Sequence, residues 1–347
     1  MWLNFSRKTR PADCKRPTFR PTLEALEARW VPSTLTVLNT NDSGAGSLRA
    51  DIAAAHRGDT INFAAGLNGQ TITLTSGELL INKNLTIAGP GASQLTVSGN
   101  NATRVFDVAK VTVALSGLTI SNGSANGSTT TTIQGGGIYN AGTLTVRNCI
   151  LANNIANNEG GGIANDGALT VSGSTLSNNS VSAGDGGGIF NYGTLTVSGS
   201  TLSGNHASEG GGIYDGYRNG TVTTTVSNST LTGNSANNGG GIFNGGTLTV
   251  SDSTLSGNSA HFGGGIFNYS SAALTVSNSI LSSNSAAYQG GGVYNNSGGT
   301  VTVKNSSSIA WNTAPVGFGA DVYNLGVLYQ DSSSIISILN GNPAQPI

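Results

Sequence analysis

Through the back two thirds of the chain, apolar and polar positions alternate in short runs, and the same three runs return in the same order. The first is Gly-Ile-Phe/Tyr-Asn. The second is Thr-Leu-Thr-Val, as in Thr143–Val146, Thr194–Val197 and Thr247–Val250; the third is Ser-Thr-Leu-Ser-Gly-Asn, as in Ser200–Asn205 and Ser253–Asn258. Alternation at period two, enrichment in Val, Ile and Thr, and Gly, Asn and Ser at the joins predict strands and bends, with no helical period. Ile138, Ile163, Ile189, Ile213, Ile242, Ile266, Val293 and Val322 recur 24 to 29 residues apart. A fixed period of that length marks a solenoid of stacked coils. Three strands per coil, stacked at about 4.8 Å, make three parallel sheets, and parallel crossovers are right-handed. The prediction is an all-β chain folded as a right-handed parallel β-helix, a three-sheet solenoid of roughly 11 coils and about 50 Å.

Polar columns fit this register. Three residues on from each strand-two valine comes Cys149, Ser174, Ser200, Ser229, Ser253, Ser279 or Ser306, so the cysteine sits in a column of small side chains. Three residues on from the strand-three aliphatic comes Asn154, Asn179, Asn205, Asn234, Asn258, Asn284 or Asn312. A second asparagine column follows the Ile-aromatic pair, with only Asp215 departing from it. Stacked amides donate and accept between coils, and Asn tolerates the left-handed conformation of a tight bend. Both columns read as structural ladders.

The Gly-Gly-Gly-Ile phrase, with Leu-x-x-Asn on strand three, resembles the polymorphic outer-membrane protein repeat of bacterial surface proteins over about residues 135–325. That repeat has Phe where this chain has Leu. The resemblance implies a pectin-lyase-like right-handed β-helix displayed outside the cell, often as an adhesin. Members with autotransporter organisation carry a large C-terminal membrane barrel, which is not expected in the residues after the last coil.

Residues 1–33 hold seven basic and three acidic side chains, and residues 34–347 hold eight and thirteen, giving the overall charge of −1. The first segment is Pro-rich, predicted to be disordered apart from a short helix at Leu23–Trp30, and lacks the apolar core of a signal peptide. Its Leu23-Glu24-Ala25-Leu26-Glu27-Ala28-Arg29 stretch resembles a segment that opens many large, exported bacterial repeat proteins, which implies sorting or processing. Residues 34–60 read as a capping strand at Leu35–Leu38 and a short helix N-capped by Ser47, running to about His56 with Leu48, Ile52 and Ala55 on one face. Irregular coils are expected over 61–134, with a loop at 121–134, regular repeats over 135–325, and a C-terminal cap over 326–347. Fifty-two glycines and 9% charged residues suit a turn-dense β protein. No apolar run is long enough for a membrane-spanning segment, and a basic arm of seven charges without an aromatic-basic fold does not predict nucleic-acid binding.

Catalytic chemistry is not expected. Enzymes on this fold gather carboxylates on adjacent coils, whereas Asp166, Asp185, Asp215 and Asp252 fall at different places in the repeat. His56, His206 and His261 read as solvated side chains, Cys14 and Cys149 as unpaired, and no metal site or cofactor is expected. Neither a calcium-binding nonapeptide nor a phosphate loop is present.

Two surfaces are candidates for binding. If the strand-one aliphatics point inward, alternation turns Tyr139, Phe190, Tyr214, Phe243, Phe267, Tyr294 and Tyr323 outward as an exposed aromatic stripe broken at Ala164. Such a stripe suits sugar rings or a protein partner. The strand-two threonines form a second, flat array that resembles those of β-helical ice-binding proteins, interrupted at Ala168 and Ala273. The leading expectation is a non-catalytic exported protein at the cell surface, adhesin-like or part of the envelope. It would bind glycan or protein through the stripe and the loops at 121–134 and 215–222. The alternatives are a polysaccharide lyase or hydrolase, and an ice or crystal-surface binder.

Overall fold

The computed structural model describes residues 31–127, 133–216 and 222–347. The expectations for the basic segment, including its helix and Cys14, fall on residues outside that range, as do the middles of the two expected loops.

Pro32–Ile347 is one compact unit. It is a right-handed parallel β-helix of about eleven turns, with almost every strand in one of three sheets. Sheet 1 collects 11 strands of the Ile-aromatic-Asn type, sheet 2 has 13 of the Thr-x-Thr-Val type, and sheet 3 has 11 of the Thr-Leu-Ser type. Like pairs with like: Val197 lies beside Val226 and then Val250, and Ile213 beside Ile242 and then Ile266. Inward residues of all three sheets fill one continuous core, in which Ile213, Val226, Leu231 and Ile242 are completely buried.

The cap forms as the local signals dictate. Thr34–Val37 pairs with Thr60–Phe63, and helix α1 spans Leu48–Ala54 with Leu48 and Ile52 buried. Ser47 Oγ accepts from the Ala50 N–H, satisfying one of the first-turn donors. At the other end, Val327–Gln330, Ile335–Ile336 and Leu339–Gly341 add a strand to each sheet, so most of the segment expected as a cap is a further turn. The expected loop at 121–134 likewise begins inside the wall. Thr119–Ser121 is a sheet 3 strand, and Ser124–Ala125 pairs with Ile155–Ala156 in a small fourth sheet.

Three ladders tie the coils together. Asn234 Nδ2 donates to Asn258 Oδ1 at 2.9 Å and to the Leu202 carbonyl at 3.0 Å; its own Oδ1 accepts from Nδ2 and the backbone N–H of Asn205, at 2.9 and 3.0 Å. This arrangement repeats from Asn154 through Asn179, Asn205, Asn258 and Asn284 to Asn312, which ends the ladder by donating to Asp321. The second column runs through Asn140, Asn165, Asn191, Asn244, Asn268 and Asn295. In the serine column each hydroxyl accepts the N–H of its equivalent one coil earlier, starting with Cys149 N–H to Ser174 Oγ at 3.1 Å.

Left-handed backbone falls one residue before the strand-three asparagine ladder and the serine ladder. Asn153, Asn178, Gly204, Gly233, Gly257, Ser283 and Trp311 precede the strand-three asparagines and have positive φ, while the ladder asparagines themselves do not. The serine column follows the same rule, which moves its last member. Asn305 and Ser306 both take the left-handed bend, so the hydroxyl that accepts from Ser279 N–H is Ser307, not Ser306. The glycine triplets have steric causes. Gly239 has φ +64, and a Cβ on Gly240 or Gly241 would lie 2.4–2.5 Å from a carbonyl oxygen of the next coil.

Where the second ladder breaks, two substitutions answer each other. Asp215 replaces asparagine and Thr224 replaces the inward leucine; Thr224 Oγ1 donates to Asp215 Oδ1 at 2.6 Å, and Asn191 Nδ2 donates to both. Asp215 Oδ2 is buried without a hydrogen-bond partner among the described residues. Burial raises its pKa to about 6 against the pull of those two hydrogen bonds.

Two stability measurements test this account. Asn234→Ala takes a hydrogen-bond partner from polar groups on both neighbouring coils and is expected to cost about 2–4 kcal/mol in urea unfolding, several buried hydrogen bonds being lost together; the exposed Asn237→Ala should stay within about 0.5 kcal/mol. Because its folded pKa lies above the unfolded value of 3.8, Asp215 binds its proton more tightly when folded. Stability therefore falls as pH rises from about 4 to about 6. Asp215→Asn should remove that fall and raise the thermal midpoint at pH 8.

Candidate functional site

The outer side of sheet 1 carries most of the side chains with chemical potential, and it is not the open stripe that strand alternation predicts. Phe190, Tyr214, Phe243, Phe267 and Tyr294 are all less than a tenth exposed, and Tyr139 and Tyr323 are partly buried. The rings do point away from the core, but they lie on one another. Phe190–Tyr214, Tyr214–Phe243, Phe243–Phe267 and Phe267–Tyr294 stack at 4.9–5.2 Å between centroids and within 20° of parallel. Flanking positions close the sides: Tyr192 meets Phe190 edge-on, Tyr269 leans on Phe243 and Phe267, and Phe262 meets Tyr294 edge-on. The strand spacing of about 4.8 Å places each ring at stacking distance from its equivalent, so the stripe becomes a second, outer core.

At the N-terminal end of this column the file turns polar. Asp107 takes the ring position one coil before Tyr139. The Arg104 guanidinium sits 5.3 Å over the Tyr139 ring and donates to Glu78 at 2.8 Å, while the Tyr139 hydroxyl donates to Asp166 Oδ2 at 2.7 Å. Burial, then the bond to Asp166, raises the Tyr139 pKa, and burial raises that of Asp107. This group bridges four coils, and every hydrogen bond named is internal to it.

A carboxylate file runs alongside. Glu159, Asp185 and Glu209 each precede a glycine triplet, and they pair across successive coils. Of the four acids weighed in the sequence, Asp166 accepts from Tyr139, Asp215 from Thr224 and Asp252 from Asn278, whereas Asp185 lies between two further acids that were not weighed. Glu159 and Glu209 were within reach of sequence reasoning, since counting one residue back from each triplet gives all three. Gln134 donates to Glu159 at one end, and Asn238 donates to Glu209 at 2.9 Å at the other. Burial, followed by repulsion from Glu209 and Glu159, raises the Asp185 pKa to about 7, while a backbone hydrogen bond opposes it.

Further along the same file the polar residues give way to Phe262, Gln289 and Phe318. With Tyr288 and Pro315, these line an open cleft of about 410 Å³. On sheet 2, Thr194, Thr223 and Thr247 are exposed and in register, and the outer files of hydroxyls face solvent as expected, with Ala168 and Ala273 interrupting one of them. His206 Nδ1 lies 2.9 Å from Ser235 Oγ, and His261 lies against Tyr288. Among the described residues, no three His, Cys, Asp or Glu side chains form a set able to hold a metal ion, and no helix is long and apolar enough to cross a membrane.

No protein-family model, curated protein or solved structure matches this chain.

The carboxylate file has a pH signature. Asp185 gains affinity for its proton on folding, so its contribution to stability declines as pH rises from about 4 to about 7. Asp185→Asn should flatten that decline and raise the thermal midpoint at pH 8, and an unchanged pH dependence would show that Asp185 does not gain proton affinity on folding.

Proposed function

We propose that this chain is a non-catalytic surface rod of bacterial, exported type, adhesin-like or structural in an envelope, and that it contacts glycan or protein through its exposed faces. The likeness to polymorphic outer-membrane protein repeats supports the setting. The observation that carries the reading is where the polar chemistry goes. The ladder amides, the serine-column hydroxyls and the sheet 1 rings are turned to their equivalents on neighbouring coils, as in Asn205–Asn234–Asn258 and Phe243–Phe267, while the sheet 2 threonines face solvent. A catalytic site needs donors and acceptors held free for substrate. A scaffold needs the reverse, and the wall has it.

One observation favours a second reading, a polysaccharide-active enzyme. Asp185, its carboxyl pushed up to about 7 between Glu159 and Glu209, has the proton affinity of a general acid at neutral pH.

Both readings meet in one experiment. The full chain is incubated with a panel of polysaccharides and with whole bacterial cells, and the same tubes are assayed for bound protein and released saccharide. Retention without release is the expected result. Release that disappears in Asp185→Asn would replace the scaffold reading with the enzymatic one.

A further inference from the structure

We propose that the cleft formed by Phe262, Tyr288, Gln289, Pro315 and Phe318 is a binding site for a neutral saccharide, an inference that rests on the glycan-binding form of the surface-rod reading. Its starting point is a departure from the repeat. In the file that precedes the glycine triplets, the earlier coils place Glu159, Asp185, Glu209 and Asn238, whereas the later ones place Phe262, Gln289 and Phe318. Phe262 and Phe318 are two coils apart, about 10 Å along the axis, with the Gln289 amide on the coil between.

A bulge then opens the site. Ala260 pairs with Ala286, but Phe262 pairs with Gln289, so the later strand carries one extra residue. A bulge re-aims the side chain at its position. Tyr288, within this bulge, is 54% exposed, and Phe318 is 43% exposed. Elsewhere on this side of the molecule rings are buried by stacking on their equivalents. Here the Tyr288 ring meets the rings of Phe262 and His261, each at 5.3 Å, and more than half of the residue stays open to solvent.

Size and charge select the ligand. A cleft of about 410 Å³ lined by five residues lies in the range of small-molecule sites, and is far smaller than the roughly 20–30 residues a side of a stable protein interface. None of the five is charged, so an anionic sugar would lose hydration without gaining a partner. A pyranose presents C–H groups on its faces and hydroxyls at its rim. The faces match the electron-rich faces of Tyr288 and Phe318, and the rim meets the Gln289 amide or stays in water at the open side.

The test uses saturation-transfer NMR of the full chain with methyl glucoside, methyl galactoside, cello-oligosaccharides and an oligogalacturonate. Neutral sugars should give transfer, and the uronate should bind more weakly. Tyr288→Ala and Phe318→Ala should each weaken the best neutral ligand about tenfold, equivalent to about 1.4 kcal/mol. Tyr288→Trp should retain binding, and the fully exposed Val316→Ala should leave it unchanged. Because Tyr288 and Phe318 are substantially exposed, their variants should keep the wild-type thermal midpoint. No transfer to any neutral sugar, equal or tighter binding of the uronate, or transfer that survives Tyr288→Ala with Phe318→Ala would overturn the assignment. If cells still retain the protein while neutral sugars give no transfer, the cleft proposal fails and the surface-rod reading stands.

Discussion

Every residue in the wall of a parallel solenoid has its own equivalent above and below it, at the spacing of a β-ladder, about 4.8 Å. That constraint sorts side chains by whether they tolerate self-stacking. An amide does, because it carries a donor and an acceptor, and the Asn154-to-Asn312 ladder uses both at every step. A serine does when its oxygen can accept from one coil's backbone while its hydrogen points to a carbonyl of its own coil, as Ser200 does. Aromatic rings do, at 4.9–5.2 Å. Carboxylates do not, since like charges at that spacing repel and each carboxylate is acceptor-only.

The same rule separates what was legible in the sequence from what was not. Strand type, coil period and both asparagine columns follow from period-two alternation and equal spacing, which are properties of the sequence itself. The side of sheet 1 on which Phe243 and Phe267 lie was also legible. Their burial was not, because alternation reports direction from the core and says nothing of what closes over the outer face. Tyr192, Phe262 and Tyr269 supply that cover from positions outside the strand. The shift from Ser306 to Ser307 was hidden for another reason: Asn305 and Ser306 both adopt the left-handed bend, and an insertion of one residue is invisible to a fixed count of three.

Departures from like-with-like stacking divide into two kinds. Some are repaired within the wall. Asp215 cannot donate as asparagine would, and Thr224, facing it from a leucine position, donates to it instead. Asp321 ends the strand-three ladder as an acceptor for Asn312, where no donation to a further amide is required. Both acids take ladder positions, and an isolated Asp among asparagines looks the same in sequence as a catalytic one.

Other departures keep a like-with-like clash or leave the wall. Glu159, Asp185 and Glu209 repeat the one side-chain type that stacking penalises, and the penalty appears as the raised proton affinity of the middle member. Tyr288 is carried out of the wall by a bulge, while Tyr294 on the same coil joins the stacked column. In a wall whose amides, serines and rings pair so regularly, positions that depart from like-with-like stacking are where contact with a group outside the chain disturbs the ladders least. The carboxylate file and the aromatic cleft belong to one file of the repeat, the residue before the glycine triplet and its neighbours. At that file the chain turns into sheet 1, and side chains are held by the following triplet yet stand outside the ladders. The repeat fixes the backbone there and leaves the side chain open to change, which makes it the part of the wall best suited to carry specificity.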